Sequence, residues 1–374
     1  MTKQADIPFV RPMVPAFDAM APDLRAALES GALTKGRYLD QYEAALAEHL
    51  EVRHAIAVSS CTLGLALVYR LLGLKGEVIV PSFTFMATVH PLMWVGATPA
   101  FVDIDPVNWS IDPNRVEDAI TPRTTAIVAV HIFGAPAPIE DLEAIAERHG
   151  LPLIFDAAHG FGALHRGRPV GSNGLVECFS TSPTKLLISG EGGVVATNSD
   201  DLAQSVRVAR EYGNPGDYAS VMPGLNARLP EWSAILGLAS LAQLEDNARR
   251  RNEIAARYRT RLSAIPGIHF QQVRPDDRSS YKDFSIRVQA REAAFSRDDL
   301  VEHLASMGIQ TRNYYAPPTH RHPAYADLRD ACEGRLPVTD ALCDEIVSLP
   351  MWAGLSDSQV DQVCDAVDEM VARA

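Results

Sequence analysis

The sequence predicts an α/β fold, a largely parallel sheet covered by helices on both faces, followed by a smaller C-terminal α+β domain. Three observations carry that expectation. From Glu77 onward, β-branched runs (EVIV, PAFVDID, TAIVAV, PLIF) alternate with helical stretches such as Ile139 to His149, and strand–helix–strand repetition of this kind builds parallel sheets buried on both sides. Beyond about Ile265, strands (IHFQQV, YKDFSIRV) and helices (Asp298 to Met307, Val360 to Arg373) follow one another irregularly, the habit of an α+β unit. The 374 residues also leave room for two domains of ordinary size, each with its own core. The expected division is a large domain over residues 1–245 and a small one over 246–374.

Taken in order, Ala21 to Leu50 reads as two amphipathic helices broken at Thr34-Lys35-Gly36, the second with Tyr38, Tyr42, Ala45, Leu46 and Leu50 on one face. His54 to Val58 is a short strand running into Ser59-Ser60-Cys61-Thr62, and a helix continues from Leu63 to Leu72. A strand, a small-residue turn and a helix start make either an anion site or an ordinary capped helix. Phe85 follows EVIVPS at a strand end, suited to core packing or to flat contact with a ring. Next, Leu153 to Phe155 delivers Asp156 and His159, and a strand ending at Phe179 delivers Ser180, Ser182, Thr184 and Lys185 ahead of Glu191-Gly192-Gly193. Open α/β sheets bind ligands at such carboxyl ends. A carboxylate, an imidazole, hydroxyls and an amine arriving together suit pyridoxal 5′-phosphate (PLP), with Lys185 for the Schiff base and Asp156 for the ring nitrogen. Taken singly, each residue is ordinary.

Ser199 is an expected cap for a helix from Asp200 to about Tyr212. GNPGDYASVMPGLN, residues 213–226, must be a loop, and Trp232 to about Ile265 reads as one long helix bridging the domains. The stretch RNYYAPPTHRHPAY, residues 312–325, is dense in Tyr, His and Pro for a linker. Composition narrows the partners. Hydrophobic residues make up 47% and charged residues 22%, as in soluble globular proteins. A net charge of −13 argues against a nucleic-acid or anionic-membrane surface. Cys61, Cys178, Cys332, Cys343 and Cys364 are scattered without a CxxC pair, so neither a metal site nor disulfides are expected. Residues 1–20 mix Lys3, Asp6, Arg11 and Asp18 with three prolines, unlike a targeting peptide, and no apolar run is long enough to span a bilayer. A cytoplasmic location is the expectation.

The strings FDAAHGFGA, FSTSPTK with EGG behind it, and GLNARLPEWSAILGL resemble the sugar aminotransferase family, the DegT/StrS-like branch of fold-type I PLP enzymes. The resemblance runs in family order over nearly the whole chain, from GALTKGRYLDQYE to LPVTDALCDEIVSLP. It implies a seven-stranded-type sheet, PLP as cofactor with its amine form (PMP) as intermediate, and Lys185, Asp156 and His159 as the catalytic set, His159 flanking the ring or its phenolic oxygen. It places Ser180, Thr62 and the turn around Cys61 and Leu63 at the cofactor phosphate, with Phe85 stacked on the ring. The family usually has Gly-Thr where Cys61-Thr62 stand. It further implies a homodimer with shared active sites, in which Asn226 reaches the partner's phosphate site, and puts Tyr315, Arg228 and Glu191 near the substrate. The reaction implied is transfer of an amino group, typically from glutamate, to a keto group of a nucleotide-linked deoxysugar. Lys185 stands where related dehydratases carry His. A cyclitol or other keto substrate, or a non-catalytic PLP-fold regulator, are the alternatives.

Overall fold

The computed structural model describes residues 6–328 and 332–373; Lys3 and the rest of residues 1–5 lie outside that description. Two helices open the chain, α1 (Phe17–Ser30) and α2 (Arg37–His49). The main sheet is built from β1 (His54–Val58), β2 (Gly76–Pro81), β3 (Ala97–Val102), β4 (Thr124–Val130) and β5 (Leu153–Asp156), joined by β8 (Val176–Ser180) and β9 (Gly193–Thr197). Between β5 and β8 the short strands β6 (Leu164–His165) and β7 (Arg168–Pro169) form a separate hairpin. The seven strands stand in the order β1-β9-β8-β5-β4-β2-β3. Pairings β2–β3, β2–β4, β4–β5 and β5–β8 are parallel, and only β9 runs against its neighbours. The expected largely parallel sheet is what the chain forms.

The connecting helices are α3 (Cys61–Leu71), α4 (His90–Val95), α5 (Pro113–Asp118), α6 (Ile139–His149), α7 (Asp200–Ala209), α8 (Glu231–Leu241) and α9 (Leu244–Leu262). In α6, Glu140 and Asp141 open the helix and Arg148 and His149 close it, charges that oppose the helix dipole at both ends. All four residues of β5 are buried, which is why that run carries no polar alternation.

Three expectations need correction. The helix expected from Leu63 starts at Cys61, because Ser60 is already extended and its hydroxyl accepts the Leu63 N–H. The helix expected to reach Tyr212 stops at Ala209; Tyr212 takes a left-handed φ of 61°, and its N–H turns to the Leu225 carbonyl. The single long helix over Trp232 to Ile265 is two, separated by Ala242 and Gln243. Leu244 and Ala248 of α9 pack in the core beneath the main sheet, while Ile254, Tyr258 and Leu262 pack in a second core. That second core is covered by a three-stranded antiparallel sheet, β10 (Ile268–Phe270), β11 (Phe284–Val288) and β12 (Ile346–Leu349), and also takes in Ile7.

One long-range cap ties the start of the chain to α8. The buried Glu231 carboxylate accepts N–H bonds from Gly36 (3.0 Å), Tyr38 (3.0 Å) and Leu39 (3.1 Å), the first turn of α2. A side chain at 36 would put its Cβ 2.6 Å from the Glu231 Oε2, so any larger residue there would have to push the capping carboxylate aside. No helix among the described residues is long and apolar enough to cross a membrane.

Candidate active site

The carboxyl ends of β5 and β8 lie side by side, with Asp156 registered on Cys178, and open onto a cavity of about 340 Å³. Asp156 is buried. Its Oδ2 accepts from the Thr88 hydroxyl at 2.6 Å and its Oδ1 from the Ala158 N–H at 3.0 Å. Thr88 is itself bonded to the Thr84 hydroxyl at 2.7 Å, so a short relay fixes the carboxylate. Burial pushes the Asp156 carboxyl up from its ordinary range, opposed by the Thr88 and Ala158 bonds and by the positive charge of Lys185.

Past β8 the chain folds into a closed loop. The Lys185 N–H bonds the Ser182 carbonyl, the Ser189 N–H the Thr181 carbonyl, and the Thr181 and Ser189 hydroxyls meet at 2.6 Å. That loop turns Lys185 into the same cavity. Among the described residues its amine has neither a hydrogen-bond nor an ion-pair partner. Burial first, and the charge of Lys282 second, pull the amine down to about 8, against the opposing pull of Asp283, Cys61 and Asp156. His159 also lines the cavity. Its Nδ1 is buried without a partner, and burial, then Lys185 and Lys282, hold the ring well below its ordinary range, so it is neutral.

At the far side of β9, the start of α3 reaches the cavity through Ser60, Cys61 and Thr62. The Leu63 N–H is taken by the Ser60 hydroxyl and the Gly64 N–H by the Ser60 carbonyl, whereas the Cys61 and Thr62 amides have no protein acceptor among the described residues. Cys61 sits inside the helix with an ordinary φ, so nothing at that place demands glycine. The close approach is carried by Gly193, where a Cβ would fall 2.4 Å from the Cys61 nitrogen. Ser180, Glu191 and the half-exposed ring of Phe85 complete this part of the lining, and Tyr315 lies 6.2 Å from Phe85 between ring centroids.

Three of the sequence-predicted residues are not among those lining the cavity. Leu63 does not line the cavity. Asn226 is exposed and pairs with Glu211 as an isolated bridge. Arg228 is held by Glu211 at 3.1 Å, which also binds Lys35 at 3.0 Å. Sequence reasoning missed Thr88, Lys282, Asp283 and Tyr314. Lys282 and Asp283 are a buried ion pair at 2.6 Å on the cavity wall. Their only trace in the sequence is a Lys-Asp step directly before the apolar strand FSIRV. A wider cleft of about 540 Å³, near Asp103 and Arg115, is structural: Asp103 is spent on the Val338 and Thr339 amides and the Thr339 hydroxyl.

These groups fit PLP. Lys185 offers an unpartnered amine, Asp156 a fixed carboxylate, His159 a free ring nitrogen, and the α3 start unpaired amides with the Thr62 and Ser180 side chains beside them. The family model described as the DegT/DnrJ/EryC1/StrS aminotransferase family matches residues 18–368. The chain is 39% identical over 365 residues to the erythromycin biosynthesis sensory transduction protein EryC1 of Saccharopolyspora erythraea, covering 96% of this chain and 98% of that one. It is 37% identical over 375 residues to dTDP-3-amino-3,4,6-trideoxy-alpha-D-glucose transaminase of Streptomyces venezuelae, covering 97% of each. The crystal structure of DesI in the presence of its TDP-sugar product superposes with a TM-score of 0.93 at 35% identity, covering 99% of this chain and 94% of that one. The chain belongs to the DegT/DnrJ/EryC1/StrS aminotransferase family and is a PLP-dependent transaminase.

Proposed function

We propose that this enzyme moves an amino group from glutamate to a keto carbon of a nucleotide-linked deoxysugar, working in the cytoplasm as a homodimer with shared active sites. The observation that carries the reading is the meeting of an unpartnered Lys185 amine with a clamped Asp156 carboxylate in one cavity, in a chain whose relatives include a dTDP-amino-sugar transaminase. When bound, PLP supplies the electron sink for a carbanion at the donor carbon. The protein supplies the rest. Asp156, held by Thr88 and Ala158, would accept the N–H of the pyridine ring and favour its protonated form. Lys185 Nζ, unprotonated above about pH 8, would take the proton from the donor carbon and return it. The Cys61 and Thr62 amides and the Ser180 hydroxyl would hold the phosphate, with Phe85 against the ring face and His159 beside it. Glu191 and Tyr315 would face the substrate. Asn226 and Arg228, which are not among the residues lining their own cavity, would serve the site of the second copy.

The test is a panel of nucleotide-linked 3-keto and 4-keto sugars, and cyclitol ketones, offered with glutamate to the PLP-loaded enzyme. The expected result is glutamate-dependent amination of a nucleotide sugar, read by product mass. Amination of a cyclitol alone would replace the sugar reading, and no spectral response to glutamate would favour a regulator. Sharing is checked by mixing the inactive Lys185→Ala and Asn226→Ala chains. Activity should return on mixing, because one site of the hybrid has both groups; a verified hybrid without activity would exclude sharing.

A further inference from the structure

The lining of the cavity carries an ion pair to which the roles above assign no contact with substrate or cofactor. Lys282 and Asp283 have side chains only 5% and 2% exposed, meet at 2.6 Å and line the same cavity as Lys185. Asp283 Oδ2 is buried with no hydrogen-bond partner. Leaving such an oxygen unmet is destabilising, and a buried pair with an open valence is a poor device for stability alone. The pair is nevertheless held with care. The Lys282 N–H bonds the Phe133 carbonyl at 2.9 Å, and the buried Arg251 guanidinium grips the carbonyls of Tyr281 and Lys282 at 3.0 and 3.1 Å. Tyr314 flanks it, with the Lys282 ammonium 5.9 Å from the ring centroid.

We propose that Lys282 and Asp283 form a hydroxyl-binding subsite for the sugar acceptor: Asp283 accepts a hydrogen bond from, and Lys282 donates one to, a ring hydroxyl beside the reacting carbonyl. The inference rests on the nucleotide-sugar reading above. Its chemistry follows from the pair's neutrality. A carboxylate arriving at Lys282 would meet the open oxygen of Asp283 and be repelled. A hydroxyl both gives and accepts, and so matches one free carboxylate oxygen beside an ammonium that spends one of its three protons on Asp283. A site built to bond a hydroxyl discriminates strongly against the deoxy analogue, because its own polar groups are then left unmet.

The experiment separates the two half-reactions in single turnovers. The double variant Lys282→Met/Asp283→Leu replaces both charges by apolar side chains, an exchange that buried pairs often tolerate; Asp283→Asn is the milder, isosteric second variant, and PLP content with thermal midpoint checks folding. Glutamate is given to the PLP-loaded proteins, and two keto-sugar nucleotides differing only in that hydroxyl are given to the PMP-loaded proteins. The expected result is that the sugar step loses at least roughly thirty-fold more rate than the glutamate step, and that the preference for the hydroxylated sugar disappears. Equal losses in both steps, or a preference that survives in the variants, overturn the subsite. A wild-type enzyme that aminates no nucleotide sugar overturns the acceptor reading and the subsite with it, whereas an active wild type with an undiminished variant overturns the subsite alone.

Discussion

The two walls of the cavity hang from two different sheets. The wall of Asp156 and Lys185 hangs from adjacent parallel strands, where backbone register fixes each side chain within a few residues of a ladder bond. The wall of Lys282, Asp283, Tyr314 and Tyr315 starts from the small antiparallel sheet, where Asp283 directly precedes Phe284, registered on Leu349, and Arg312 bridges Ser348 just ahead of Tyr314. It is laid on Phe133 and Gly134: Ser280 N–H bonds the Gly134 carbonyl, its hydroxyl reaches the His159 carbonyl at 2.7 Å, and Tyr315 stacks on Phe133 at 5.8 Å. Phe133 takes a left-handed φ of 56° to allow this, a conformation that a bulky residue adopts only when its surroundings impose it. The difference teaches that the parallel-sheet wall, fixed within one core, suits chemistry common to many substrates, while the wall brought in from the second sheet suits contacts that distinguish one substrate from another.

Substitutions can break that comparison at graded strength. Lys185→Ala should abolish amino transfer, a loss beyond the roughly 10²–10⁴-fold of acid–base assistance alone; borohydride reduction and peptide mapping of the wild type should place the pyridoxyl label on Lys185, and a label elsewhere removes the assignment. Asp156→Asn should cost roughly 10²–10⁴-fold in turnover with PLP still bound, and activity within about twofold of wild type would make Asp156 structural. Thr88→Val strips one donor from a buried carboxylate, worth about 1–3 kcal/mol. Cofactor retention should weaken roughly ten-fold or more by dialysis, and the pH at which PLP is lost on acid titration should rise, because the lost bond had lowered the Asp156 carboxyl.

The second wall should respond differently. Gly134→Ala would place a Cβ 1.9 Å from the Ser280 hydroxyl at a φ of 94°. It should lower stability by about 1–3 kcal/mol and slow the sugar step while leaving PLP content intact, measured by thermal melts and half-reaction rates. A variant that loses cofactor instead would show the two walls to be one unit. The smallest effect is electrostatic. With Lys282→Met the second cause of the lowered Lys185 amine is gone and Asp283 is left unopposed, so the pH midpoint for reloading stripped protein with PLP should move upward from about 8. An unmoved midpoint means that the two lysines do not sense each other.

The same contrast decides what could be read from sequence. Leu153 to Asp156 and Val176 to Ser180 are short apolar runs ending in chemistry-bearing residues, and strand ends follow from local pattern. The break at Ala242-Gln243 was hidden, because Leu-Ala-Gln-Leu are all good helix formers and packing onto two different cores sets the break. The Lys282–Asp283 pair was equally hidden. A charged dipeptide is ordinarily solvated, and its burial depends on Phe133 and Arg251, far away in the chain. Cys61 misled in the other direction: glycine's freedom is needed at Gly193, across the strand from it, which no local reading of the turn reveals.

The cap on α2 has a consequence for how the polypeptide is made. The first-turn amides of α2 wait for a carboxylate 195 residues downstream, and among the described residues β1 has no sheet neighbour except β9. At about 5–20 residues per second on the ribosome, the opening sixty residues emerge roughly ten to forty seconds before their partners. During that interval Tyr42, Leu46 and Leu50, all fully sequestered in the finished protein, are displayed to solvent. Nascent-chain chaperones therefore have their longest access to this helix, and expression yield should be most sensitive to elongation speed between the codons for Gly36 and Glu231.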